Sequence, residues 1–212
     1  MMTSVYRDMF TLCATVLLYF MSVSHSAPLS CEHLLRPLDQ LEAGPMEGRW
    51  ALVAGSFRDP AALEALKRRD SVTVDFCNSS ETSNYAYTQI NRVGDKCQYF
   101  PFNISIEGST FTFDVRDNIN FTGTFLHTSC PDCVVIHLEI EELRKNKSLD
   151  LYLISRRREV EPKEMEEYKA QLECLKLPPP VVMDPTKELC PEQTPSEPAA
   201  AQTGEKTEEQ KA

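Results

Sequence analysis

One tryptophan in 212 residues, four histidines and a deficit of basic side chains are what the sequence shows first by their scarcity. Twenty-two Lys and Arg stand against 32 Asp and Glu, for a formal net charge of −10. A surface of that sign repels phosphate backbones, so no nucleic-acid partner is expected, whereas neutral or cationic ligands are compatible with it. The scarcity of histidine bears on metals. Cys130-Pro131-Asp132-Cys133 has the C-x-x-C spacing of half a zinc knuckle, but no second C-x-x-C and no H-x-x-x-H completes it. No metal and no cofactor is therefore expected. Long apolar runs are scarce as well: after residue 26 none is long enough to cross a bilayer as a helix, so no stable membrane insertion is expected.

The one early apolar run, residues 11–23 (TLCATVLLYFMSV), follows Arg7 and Asp8 and leads into the small residues Ser24 and Ser26. That is the pattern of a secretory signal peptide, residues 1–26, with the mature chain starting at Ala27. Asn-x-Ser/Thr sequons at Asn78, Asn103, Asn120 and Asn146 agree with export to a plasma-like extracellular fluid and mark candidate glycosylation sites. Seven cysteines remain once Cys13 leaves with the signal: Cys31, Cys77, Cys97, Cys130, Cys133, Cys174 and Cys190. In an oxidising compartment they read as disulfides, and the odd count leaves one thiol over or shared with another chain.

From Trp50 onward the hydrophobic period is two. Val72, Val74 and Phe76 alternate with Thr73 and Asp75; Phe111 and Phe113 with Thr112 and Asp114; Leu149, Leu151 and Leu153 with Asp150 and Tyr152. With further candidates at 49–57, 85–92, 98–104, 119–128 and 134–140, this gives eight short strands joined by turn-like connectors. The expected fold class is all-β, an eight-stranded antiparallel up-and-down barrel, because closure removes the exposed edges of a flat sheet. Residues 60–69 (PAALEALKRR) read as a helix able to cap one mouth. A stronger helix covers residues 161–176, with apolar Met165, Tyr168, Leu172 and Leu175 at spacings of three and four, and it is expected to pack outside the barrel. The domain spans residues 27–190. Residues 191–212 form an acidic tail without periodicity, expected to be disordered.

Gly48-Arg49-Trp50 opening the first strand, eight strands, then one helix after the last of them resembles the lipocalin family, over about residues 31–190. In that family the G-x-W tryptophan closes the bottom of the barrel under a basic residue that follows the last strand. The resemblance puts Arg156 in that place, where guanidinium over indole is worth roughly 1–2 kcal/mol. Tyr168-Lys169-Ala170-Gln171-Leu172-Glu173-Cys174-Leu175, Lys96-Cys97-Gln98-Tyr99 and Lys187-Glu188-Leu189-Cys190-Pro191-Glu192 are most similar to one branch of the family. That branch holds orosomucoid, apolipoprotein M and the fish proteins that bind saxitoxin, tetrodotoxin or tributyltin. By the same resemblance Cys31 pairs with Cys174 and Cys97 with Cys190. The family's Thr-Asp-x-x-Tyr motif is absent, and Ser129-Cys130-Pro131-Asp132-Cys133 stands there instead, so the resemblance implies no shared receptor contact at that end.

An eight-stranded barrel holds one small ligand when its lining is of moderate size. If Trp50 faces in, so do Leu52 and Ala54, and the candidate ligand-binding set is Leu52, Val74, Phe76, Phe111, Phe113, Leu151 and Leu153. The expected function is secreted carriage, by a monomer, of a small hydrophobic or amphipathic ligand such as a lipid, steroid, lipophilic amine or toxin, with no chemistry performed. One alternative is a thiol-dependent isomerase like the lipocalin-type prostaglandin D synthase, whose thiol sits on strand two inside the barrel. Parity turns Cys77 outward if Phe76 points in, and His33, His127 and His137 stand singly. A second alternative is an immunomodulatory protein with a vestigial pocket. Of the leftover cysteines, either Cys130 and Cys133 bridge their own turn and leave Cys77 free, or Cys77 reaches one of them across the barrel end; the short spacing favours the first.

Overall fold

Alternating β-branched and aromatic side chains from Gly48 onward form strands because each has one face to bury. The computed structural model describes residues 30–39, 46–78, 84–113, 119–142 and 147–192. The expected signal peptide, Asn146 and all of the expected tail beyond residue 192 lie outside the described residues, as does the side chain of Asn78. In chain order the elements are α1 (Cys31–Leu34), β1 (Gly48–Phe57), α2 (Pro60–Lys67), β2 (Ser71–Asn78), β3 (Asn84–Val93) and β4 (Lys96–Glu107). They continue with β5 (Thr110–Phe113), β6 (Ile119–Leu126), β7 (Cys133–Glu142), β8 (Ser148–Ser155), α3 (Pro162–Leu175) and β9 (Val181–Val182).

Each strand from β2 to β8 pairs antiparallel with the next, and β1 closes the barrel between β8 and β2. Closure with an outer C-terminal helix is the architecture the period-two pattern implied. Elements α1 and β9 were not anticipated, being four and two residues long and so too short to show a period. Helix α2 starts on Pro60 with the Asp59 side chain accepting from the Ala61 N–H at 3.0 Å, and it stops two residues before the expected end. Its Leu66 is fully buried and joins the interior cluster, so α2 folds its apolar stripe down into the barrel.

Two strands depart from the expected facing. In β1 the register slips between Leu52, opposite Ile154, and Ala54, opposite Leu153, so Val53 is an extra residue and the parity inverts beyond it. Ala54 therefore packs in the outer cluster with Leu153 rather than beside Trp50. In β8 both faces are buried. Leu151 and Leu153 turn outward onto Tyr168 and Leu172 of α3, while Tyr152 and Ile154 take the interior, which corrects the assignment of the leucines to the lining. The leucine-rich face goes under the helix because α3 brings its own apolar stripe there; the Tyr168 hydroxyl donates to the Leu151 carbonyl at 2.7 Å. Met165 and Leu175 flank the same cluster. At the start of α3, Glu161 and Glu164 cap each other's backbone N–H groups.

Bridges join Cys31 to Cys174, Cys97 to Cys190 and Cys130 to Cys133, and Cys77 is an exposed thiol. The first ties α1 to α3. The second fastens the returning C-terminal segment, whose path is also marked by Ser56 Oγ donating to the Pro178 carbonyl and Ser71 Oγ to the Glu188 carbonyl, both at 2.7 Å.

Candidate functional site

One end of the barrel is shut by Trp50. Its indole N–H donates to the Met46 carbonyl at 2.9 Å, and the Arg156 guanidinium lies 3.9 Å from the ring centroid. Arg156 also donates to the carbonyls of Arg49 and Glu47, which pins the first turn of chain over the plug. Gly48 is needed there for its backbone: φ is +93°, and a Cβ would stand 3.2 Å from the same guanidinium. Intrinsic fluorescence should accordingly be blue-shifted in the native protein and move red on unfolding, and Arg156→Ala should shift the native maximum red. A native maximum already at the position of free indole would overturn the plug.

Above the plug the interior holds a cavity of about 160 Å³. Leu52, Val74, Phe111 and Phe113 of the candidate set line it. Phe76 is fully buried in the same cluster but sits opposite Gly48 at the closed end, off the cavity wall. Ala54, Leu151 and Leu153 face away, as described. Most of the wall comes from residues outside the candidate set: Val72 on β2, Tyr87 and Gln89 on β3, Phe102 on β4, Phe121 on β6, Ile136, Leu138 and Ile140 on β7, and Tyr152, which parity had turned outward, and Ile154 on β8. The β7 set was legible as strict alternation in VVIHLEI, had a facing been chosen for it. Arg69, expected as the last residue of the mouth-capping helix, lies instead in the link between α2 and β2 and also reaches the cavity.

Aromatic rings fix the wall. Phe113 meets Tyr87, Phe102 and Phe121 at 5.3, 5.4 and 5.6 Å, each edge to face, and Phe111 packs on Phe125 at 4.9 Å. Such contacts leave little slack, so the space suits a slender or small ligand. The polar groups are few: Arg69, Gln89 and the Tyr87 and Tyr152 hydroxyls. Gln89 Nε2 donates to Asn91 Oδ1 at 3.0 Å, and the Tyr152 hydroxyl donates to Asp150 Oδ2 at 3.2 Å.

Asp150 follows the interior parity of β8 opposite Phe57, and its Oδ1 has no partner among the described residues. Burial raises its carboxyl from the ordinary 3.8 to about 6 against the opposing Tyr152 hydrogen bond. Because the folded value lies above the unfolded one, the native state holds the proton longer, and stability falls as pH rises from about 4 to about 6. Asp150→Asn should therefore stabilise the protein at pH 7 by about 1–3 kcal/mol and lose that advantage near pH 3. Urea unfolding at both pH values checks this; an equal effect at both would overturn the burial cost.

No family model and no curated protein sequence matches the chain. Solved structures do. The siderocalin Ex-FABP is 15% identical over 72% of this chain and 99% of its own, with a TM-score of 0.58. Lipocalin 12 from rat epididymis, solved in solution, is 13% identical over 73% of this chain and 91% of its own, with a TM-score of 0.62. The fold is that of the lipocalins. At such identities the likeness is one of fold, and the chemistry must come from this chain's own residues. In this lipocalin barrel Cys77 is exposed on the outside of β2, away from the cavity. His33 and His127 lie on the outer side with ring centroids 6.4 Å apart. His137 is flanked by the lining residues Ile136 and Leu138 and so points out of the cavity, with burial lowering its pKa. Among the described residues one group with metal-ligand spacing occurs, Cys130, Cys133 and Glu164, and both of its sulfurs are spent in a disulfide.

Proposed function

We propose that the protein is a secreted carrier that holds a small hydrophobic or amphipathic molecule inside the barrel and performs no chemistry on it. The observation that carries this reading is the cavity of about 160 Å³, walled by Phe, Tyr, Ile, Leu and Val with few polar groups and closed below by Trp50. The signal-like residues 1–26, three disulfides and sequons at the exposed Asn103 and Asn120 support export. Kinship with the orosomucoid and apolipoprotein M branch is supported by the segments quoted above and by the bridges Cys31–Cys174 and Cys97–Cys190. The reading extends to a monomer that works in a plasma-like fluid and has residues 27–190 as its binding domain.

Titration with N-phenyl-1-naphthylamine, an uncharged fluorescent amphiphile, tests the reading. Binding is expected in the micromolar range or tighter, and Leu138→Asp, which sets a charge in the apolar wall, should weaken it at least roughly 10-fold. If that variant folds and binds as the parent does, the cavity is not the binding site.

A further inference from the structure

Among the described residues, Arg69 is the one cationic side chain on the cavity wall. It forms no ion pair among the described residues, burial lowers its pKa, and no carboxylate opposes that shift. Its neighbour Asp70 is engaged elsewhere, accepting from the Gly94 N–H at 2.6 Å and lying 3.6 Å from Lys187 Nζ. The backbone of Arg69 is fixed by its N–H to the Leu66 carbonyl at 3.0 Å, and Leu66 is itself fully buried in the interior cluster. The guanidinium is thus held against an apolar wall without a counter-ion. A cation drawn partly out of water without a partner is costly, and a ligand that brings the missing charge recovers that cost. Beside it, the buried Tyr87 hydroxyl makes no hydrogen bond among the described residues and can donate to the same ligand, whereas the Tyr152 hydroxyl is already committed to Asp150.

We infer that the ligand is an amphiphile with a carboxylate head, its charge set against Arg69 and the Tyr87 hydroxyl and its tail among the phenylalanines; this rests on the carrier reading above. One guanidinium neutralises one charge, and the chain carries −10 overall, so a monoanion fits where a dianionic phosphate would stay half unpaired. The narrow cavity favours a single slender tail. Net charge by itself pointed to neutral or cationic ligands; Arg69 reverses that locally, because an unscreened charge at contact outweighs distant ones across a Debye length of about 8 Å. Asp150 is the feature that would favour a cation instead. It is not on the cavity wall, and the Tyr152 hydroxyl already answers one of its oxygens.

Calorimetric titration of the full chain near neutral pH with decanoate, decanol and decylammonium tests the inference. Decanoate should bind roughly 10-fold or more tighter than either of the others, the worth of one charge-assisted hydrogen bond. Arg69→Gln should erase that preference, so that decanoate and decanol measured on the same variant bind alike, and Arg69→Lys should keep part of it, which covers the case in which the glutamine variant folds poorly. Equal binding of the three amphiphiles, or a decanoate preference that survives in Arg69→Gln, overturns the assignment of the head group and leaves carriage standing. Tightest binding of decylammonium overturns it in favour of Asp150. Failure of all three to bind overturns carriage and this inference together.

Discussion

Serine at both Cys31 and Cys174 is expected to lower the unfolding free energy by about 2–5 kcal/mol, the largest loss from any of the three bridges. The bridge closes a separation of 143 residues, and in the chain-entropy account a loop of that length is worth about 5 kcal/mol to the constrained unfolded state. It also holds α1, which with four residues cannot sustain itself, against α3. The contrast is the bridge Cys130–Cys133, whose separation of three residues is worth under about 2 kcal/mol by the same reasoning. Chemical denaturation of the two double variants ranks them. A larger loss from the short bridge would show that native contacts, not chain entropy, set its contribution. In the parent, non-reducing peptide mapping should find Cys77 unlinked.

Gly123→Val should cost about 3 kcal/mol or more and should also abolish or sharply weaken ligand binding. Gly123 on β6 is directly opposite Phe111 on β5, and a Cβ there would stand 2.1 Å from the ring's Cζ. The phenyl ring occupies the space a side chain would fill, so any substituent drives Phe111 off its contact with Phe125 and into the cavity it lines. Gly123→Ala should show the same effects at about 1–3 kcal/mol. Replacing Phe111 by Leu in the same chain should restore part of both losses, because the two residues share one volume and their effects cannot add. Denaturant midpoints and naphthylamine titration of the single and double variants measure the coupling. Additive losses would show that the ring has another place to go.

Several features were legible in the residues alone, for reasons that can be named. Period-two alternation from β1 to β8 implies strands with one face to bury, and their number without a covering layer implies closure. The resemblance carried by Gly48, Trp50, the eight strands and Arg156 implied a guanidinium over the indole, and the two meet at 3.9 Å. The stripe of Met165, Tyr168, Leu172 and Leu175 gives α3 and its outer seat. Parity along one unbroken strand turns Cys77 out once Phe76 is in, and it is exposed. The strands, the helix stripe and the facing of Cys77 follow local rules whose answer does not depend on what lies on the far side.

Tertiary structure decided the rest. Periodicity says that Leu151 and Leu153 share a face, but not which face is the interior when both are buried; the position of α3 settles that, and it sends Tyr152 and Ile154 inward. One extra residue at Val53 inverts β1 beyond Leu52, and a bulge leaves no mark in a run as uniformly apolar as WALVA. The charges that give the cavity its character are the least legible. Arg69 reads as the charged end of the helix 60–69, beside Arg68, but the helix stops at Lys67 and the residue, its N–H bound to the carbonyl of the buried Leu66, reaches the wall. Asp150 reads as the solvent face of an alternating strand, yet it is buried because its strand has none. Sequence alone determined the barrel, since alternation is a property of neighbours along the chain, and the family resemblance implied its plug; the lining and the placing of Arg69 on it required the packed structure, since facing is a property of neighbours in space.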